Sequence, residues 1–142
     1  MTSRTTLSRT SVPRTIGRVL LGSALVFAGT SHLTFGREDF RAQVPQFVPL
    51  SEDVTVLASG VAEISLGAAL IALRGRRVTV GWVAAIFFTV IFPGNIAQLI
   101  HHRDAFGLDT DTKRGLRLLG QPLLIAWALW STGAWRDRAR RR

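Results

Sequence analysis

Cysteine is absent from the 142-residue chain. That excludes disulfides, thiolate nucleophiles, Cys-ligated zinc and iron–sulfur clusters, and with them thiol redox chemistry. Charge is scarce as well: Asp, Glu, Lys and Arg make up 19% of the residues, below the ~25% usual for soluble domains. Acids are the scarcest, nine against eighteen basic residues, which leaves a net charge of +9. Few charges combined with a strong positive excess mean that the basic residues are segregated from apolar stretches, a membrane pattern. The length fits one domain rather than a multi-domain enzyme.

A helix needs about 20 predominantly apolar residues to cross a bilayer core of roughly 30 Å. Four runs approach this, at about residues 16–35, 54–73, 78–100 and 113–135. Arg18 stands at the edge of the first run, and Glu63 is the single charge in the second. The third is uncharged, and the fourth is uncharged from Leu118 onward. Four such runs leave too little polar surface for a soluble protein of this length. The expected fold is therefore all-α, an integral membrane four-helix up-and-down bundle, in a 15–135 membrane domain. Residues 1–14 read as a disordered basic leader and 136–142 as a basic tail. A cleaved secretory leader is the weaker reading of the first run, which is too long for a usual signal core.

The arginines set the orientation. Twelve basic residues fall in the leader, the connection between the second and third runs, and the tail, against six in the other two connections. Those two connections also carry seven acids. Both termini are expected in the cytoplasm, and the tail reads as a topology determinant and lipid contact rather than a nucleic-acid patch. The ratio of 17 Arg to 1 Lys suggests a GC-rich bacterial genome, and hence a multi-pass protein of the bacterial inner membrane.

The short connection around Gly75 forces antiparallel neighbours. The connection from Gly36 to Asp53 is longer and has Glu38 and Asp39 where a helix start favours acids, Phe40 and Val44 four apart, then Pro45 and Pro49. It reads as a short amphipathic helix ended by Pro45, which either closes the outer mouth of the bundle or anchors it at the interface. The connection with Asp104, Gly107, Asp109 and Asp111 reads as a solvated loop.

Polar residues at membrane depth are costly, about 2.5–3.5 kcal/mol for a central acid on insertion scales, so their placement is informative. Glu63 lies roughly 14 Å into its run at 1.5 Å per residue. It shares a helical stripe with Gly60 and Gly67, where small residues let a neighbouring helix approach. It is either a protonated carboxyl bonded to another helix or a proton-carrying or ligand-binding acid. Asn95, Gln98 and His102 fall on one face of the third run after Pro93, whose missing N–H frees a carbonyl for side chains or water. Arg117 and Gln121 are four apart beside Pro122, and His32 follows the small residues Gly22 and Gly29. In the expected topology all four helices contribute to one polar pocket in the outer half of the bundle. Its candidate ligand-binding residues are His32, Glu63, Asn95, Gln98, His102, Arg117 and Gln121; no catalytic or metal-ligating set is assigned.

The segments Ala28-Gly29-Thr30-Ser31-His32, Val44-Pro45 to Val48-Pro49, Ser59-Gly60-Val61-Ala62-Glu63 to Gly67, Phe92-Pro93-Gly94-Asn95 and Gln121-Pro122 together resemble the DoxX-like family of small four-helix bacterial membrane proteins. The likeness covers about residues 16–135. That family takes its name from thiosulfate:quinone oxidoreductase subunits, and some of its members are associated with membrane redox complexes. The resemblance implies that His32, Glu63, Pro93, Asn95 and Gln121 occupy recurrent family positions, to which the family gives no agreed catalytic role. The missing cysteines separate this chain from thiol-using relatives.

The expected function is a non-catalytic membrane subunit, or a component that binds a quinone-like small molecule in a membrane redox system. Its partners would be the lipid bilayer, other membrane redox subunits and further copies of itself. The alternatives are an independent enzyme using Glu63 and a histidine, a haem-binding electron carrier using His32 and His102, and a small transporter.

Overall fold

The computed structural model describes residues 9–105 and 107–139. The first eight residues of the expected leader and residues 140–142 of the expected tail lie outside them. The described residues are helical, with no strand among them: α1 Val12–Leu33, α2 Arg37–Arg41, α3 Glu52–Ala72, α4 Arg77–Ile100, α5 Asp111–Thr132 and α6 Ala134–Ala139. A 3-10 turn, Arg74–Arg76, leads into α4. Three segments, Val12–Leu33, Glu52–Ala72 and Arg74–Ile100, are long and apolar enough to cross a membrane.

Helix α5 is as long as α1 at 22 residues but is not among those three. Its first two turns carry Asp111, Lys113, Arg114 and Arg117, with Gln121 and Pro122 following. Its outward face is nonetheless apolar, with Leu116, Leu119 and Leu123 all exposed. The exposed side chains Val19, Phe27, Val61, Val83, Ile86 and Val90 give the other long helices the same character.

Several boundaries differ from the sequence expectation. The first helix begins at Val12 rather than after a disordered segment to Arg14, because Pro13 supplies a helix-ready φ in the first turn, where its missing N–H costs nothing. The helix after Gly36 ends at Arg41, four residues before Pro45. The fourth run does not continue to residue 135: Gly133 adopts a left-handed conformation (φ 72°), closes α5 and turns the chain into α6. The helix Ala134–Ala139 thus joins the last two residues of the expected membrane domain to residues 136–139 of the expected tail.

Where inward and outward faces are similarly apolar, burial alone discriminates little between helix pairings, and close backbone approach matters more. Helices α1 and α3, the most extensively packed pair, meet through glycines. A Cβ on Gly22 would lie 2.7 Å from the Gly67 carbonyl oxygen, and one on Gly29 would lie 2.5 Å from that of Gly60. The stripe of Gly60, Glu63 and Gly67 therefore faces α1. Helix α4 packs chiefly on α5, and α5 also meets α1, where Trp127 Nε1 donates to the Gly17 carbonyl at 2.9 Å. Leu21, Leu25, Leu70, Val80, Ala84, Phe88 and Ala128 form the shared core.

The starts of α1 and α4 meet the ends of α3 and α5. Arg18 donates to the carbonyls of Leu70 and, at 3.3 Å, Ile71. Arg77 donates to Thr132 O at 3.0 Å and pairs with Asp137 at 3.3 Å. Both arginines thus satisfy carbonyls that a helix end leaves without an intrahelical partner.

Candidate functional site

Away from the Arg18 and Arg77 clamps, the four long helices part around a cavity of about 640 Å³. Leu21, Leu25 and Phe88 belong both to the core and to its wall. In the connection between α1 and α3, Phe40 of α2 and, just after that helix, Gln43 and Val44 roof it. Of the two readings of that connection, closure of the mouth describes Phe40 and Val44. The cavity wall also includes the surface residues Phe47 and Val90, 77% and 68% exposed, so it opens sideways. Among the neighbouring pairs of long helices, α3 and α4 pack least extensively.

Five of the expected site residues line this one cavity: His32 from α1, Glu63 from α3, Asn95 from α4, and Arg117 and Gln121 from α5. Asn95 Nδ2 donates to Gln121 Oε1 at 3.1 Å, and Gln121 Nε2 donates to the Phe88 carbonyl at 2.7 Å. Phe88 immediately precedes Thr89, whose carbonyl is the one that Pro93 cannot bond. The amide of Gln121 thus meets α4 where its helical ladder is interrupted.

His32 and Glu63 differ from that satisfied pair. His32 Nδ1 and Glu63 Oε2 stand 3.3 Å apart, but neither atom has an aligned hydrogen-bond partner. Both residues are nearly inaccessible, at 4% and 6% exposure. Phe40 sets its ring edge-on to the imidazole, at an interplanar angle of 84°. Gly60 permits this closeness, since a Cβ there would lie 2.7 Å from His32 Cβ.

Gln98 and His102 do not line the cavity. Gln98 is buried behind the roof, where Gln43 Nε2 donates to its Oε1 at 3.0 Å and its own amide donates to Arg103 O at 3.2 Å. With the Gln43 amide turned the other way, its oxygen accepts from both Arg117 Nη atoms, at 2.6 and 2.8 Å. Gln43 therefore links the roof to α4 or α5 according to its orientation, which the neighbouring donors and acceptors decide.

His102 was expected on the same face as Asn95 and Gln98, but α4 ends at Ile100 and His102 follows in a left-handed conformation (φ 49°). It is exposed, with Nδ1 2.8 Å from Asp111 Oδ1. His32 lines the cavity and His102 does not, so the two histidines that the haem-carrier alternative would use do not share its wall. Among the described residues, no group of three or more His, Cys, Asp or Glu side chains is arranged to hold a metal ion.

The 101–111 connection, expected as a solvated loop, is braced by two arginines. Buried Arg114 pairs with Asp104 and Asp111 and donates to the carbonyls of His102 and Arg103, both at 3.2 Å. Arg103 reaches across to the roof and donates to Ala42 O at 2.9 Å and Val44 O at 3.1 Å. At the exposed surface, the hydrogen bond from Lys113 holds the Asp109 carboxyl below its ordinary pKa. The bond to His102 does the same for Asp111.

The sequence pointed to neither Gln43 nor Arg103 as a site residue. The available signal for Gln43 was an amide set between Phe40 and Val44 in an otherwise apolar pattern. Together these groups make a container for an apolar body, with donors and acceptors gathered near the roof.

Residues 21–132 match the model of a family described as a domain of unknown function, DUF8561, and the chain belongs to that family. No curated protein and no solved structure matches the chain.

Proposed function

From membership of a family whose description assigns no function, we propose that the chain is a DoxX-like, four-span protein of the bacterial inner membrane that binds a lipophilic, quinone-like small molecule. The observation that carries this reading is the cavity of about 640 Å³, within the ~300–1,000 Å³ of small-molecule sites, with mostly apolar walls and a few convergent polar groups. The sideways opening beside Val90 and Phe47 suits a ligand that arrives from the lipid phase. Helix α5 serves as the fourth span, with its polar first turns at the outer interface and its leucine face toward lipid. Both termini lie in the cytoplasm, in keeping with the twelve-to-six distribution of basic residues. The role is binding rather than catalysis, as a component of a membrane redox system.

The test is purification in a mild detergent followed by mass spectrometry of the organic extract. Wild type is compared with Ala28→Trp, which fills the cavity from a half-buried wall position. A prenylated quinone or similar lipophile enriched in wild type and depleted in a folded Ala28→Trp protein is the expected result. Equal recovery from both would overturn the reading. Reporter fusions after Arg77 and Arg142 should both report the cytoplasm, and a periplasmic signal at either would overturn the topology.

A further inference from the structure

We infer that the cavity selects a ligand whose polar head is a hydroxyl, such as a hydroquinone or phenol, bound between His32 Nδ1 and Glu63 Oε2. This rests on the reading of the cavity as a ligand site and specifies the ligand chemistry. His32 and Glu63 both line the cavity, and these two atoms are buried and lack an aligned partner. A buried polar atom left unpaired is costly, so this is the part of the wall with most to gain from an occupant.

The chemistry of the pair narrows the occupant. When one proton is shared between an imidazole nitrogen and a carboxyl oxygen, one atom donates and the other accepts, whichever of the two holds it. A hydroxyl accepts from the first and donates to the second, so it serves both proton arrangements. A carbonyl or ether oxygen only accepts and leaves one of the two atoms unpaired. Among the other polar wall groups, Asn95 and Gln121 are already engaged. Asn95 and Gln121 bond each other, and Gln121 also bonds Phe88 O. The edge-on ring of Phe40 closes one side of the imidazole with apolar surface, which favours an aromatic head.

The experiment uses 4-hexylphenol and its methyl ether, which share ring and tail but differ in the ability to donate. Binding to the full chain in lipid nanodiscs is measured by calorimetry, with empty discs correcting for partition into lipid. The phenol should bind about tenfold more tightly than the ether. His32→Phe and Glu63→Leu should each collapse that ratio toward one, while Ser65→Ala, on the exposed face of α3 and outside the cavity wall, keeps it. A second measurement needs no variant: the infrared carboxyl band of the wild type should shift with the phenol and stay in place with the ether.

Equal binding of phenol and ether by wild type would overturn the hydroxyl inference and leave the cavity reading standing. So would a tenfold ratio that survives in folded His32→Phe and Glu63→Leu proteins. Failure of both probes to bind would overturn the cavity reading itself.

Discussion

The two ends of the helix assembly bury ionisable groups to similar depth and treat them in opposite ways. At one end Arg18 and Arg77, 2% and 4% exposed, are engaged by the terminal carbonyls of α3 and α5, Arg18 through Nη1 with its Nε left over, and Arg77 also by Asp137. At the other, His32 and Glu63 are equally buried at 4% and 6% but lack aligned hydrogen bonds. Desolvation is costly in both places. At the arginine end it is offset by groups the fold must satisfy anyway, the orphan carbonyls of two helix ends. At the cavity end His32 Nδ1 and Glu63 Oε2 have no such compensation from the fold. Burial of a charged or polar residue is therefore weak evidence of function, and the presence or absence of partners separates a brace from a site.

The comparison breaks first if the arginine end proves dispensable. Arg77→Met removes the buried donor to Thr132 O and one of the partners of Asp137, so unfolding in detergent should become easier by about 3 kcal/mol. Thermal melts followed by helical circular dichroism measure this, and a change within error would show that the clamp is idle. A somewhat smaller loss, about 2 kcal/mol, is expected for Gly67→Val. Its new Cβ meets the Gly22 carbonyl oxygen and lies 2.8 Å from Val26 Cγ2. The same melts read it, and retention of full stability would mean that α1 and α3 do not pack through their glycines.

The cavity end should behave in the opposite sense. Replacing both unpaired partners, as in His32→Phe with Glu63→Leu, should leave the ligand-free protein as stable as wild type or stabilise it by about 1 kcal/mol, because no hydrogen bond is lost and two desolvated groups are removed. A loss comparable to that in Arg77→Met would erase the distinction between the two ends.

The smallest effect belongs to Asp109→Asn, which removes an exposed pair with Lys113. At neutral pH the melting temperature should stay within error. Because Lys113 lowers the Asp109 pKa in the folded protein, any contribution is present above the ordinary carboxylate pKa and lost as pH falls through the depressed value. The wild type and the variant should therefore converge in acid, and a gap that widens there would contradict this sign.

Much of the helical plan was legible because long apolar runs and glycine spacing act locally. The runs around α1, α3 and α4 announced themselves by length, and Gly22, Gly29, Gly60 and Gly67 marked faces fit for close helix approach, though not that the two faces meet each other. Depth counting gathered His32, Glu63, Asn95, Gln98, His102 and Gln121 in the outer half of the bundle; His32, Glu63, Asn95 and Gln121, with Arg117, share the cavity, and Gln98 and His102 do not. His102 was misplaced because α4 ends in a Schellman-type turn, with His102 N bonded to Leu99 O at 3.3 Å and Arg103 N to Gln98 O at 3.1 Å. The residue in the left-handed position there is histidine, whereas the usual sequence signal is glycine or asparagine. Gly133 did carry that signal, but the apolar pattern running on to Trp135 masked it. Gln43 and Arg103 escaped notice because they act across the fold, on partners about 55 to 61 positions away in sequence, which no local pattern encodes.

The central claim, that the cavity holds a lipophile by its polar head, is tested most directly by ligand-dependent unfolding. Wild type and Ala28→Trp would be melted in detergent with increasing decyl hydroquinone. A ligand that binds only the folded state stabilises it by about 2.7 kcal/mol at a free concentration one hundred times its Kd. The account predicts a saturable rise of several degrees in the Tm of wild type and none in folded Ala28→Trp. No rise in wild type, or an equal rise in both proteins, would contradict it.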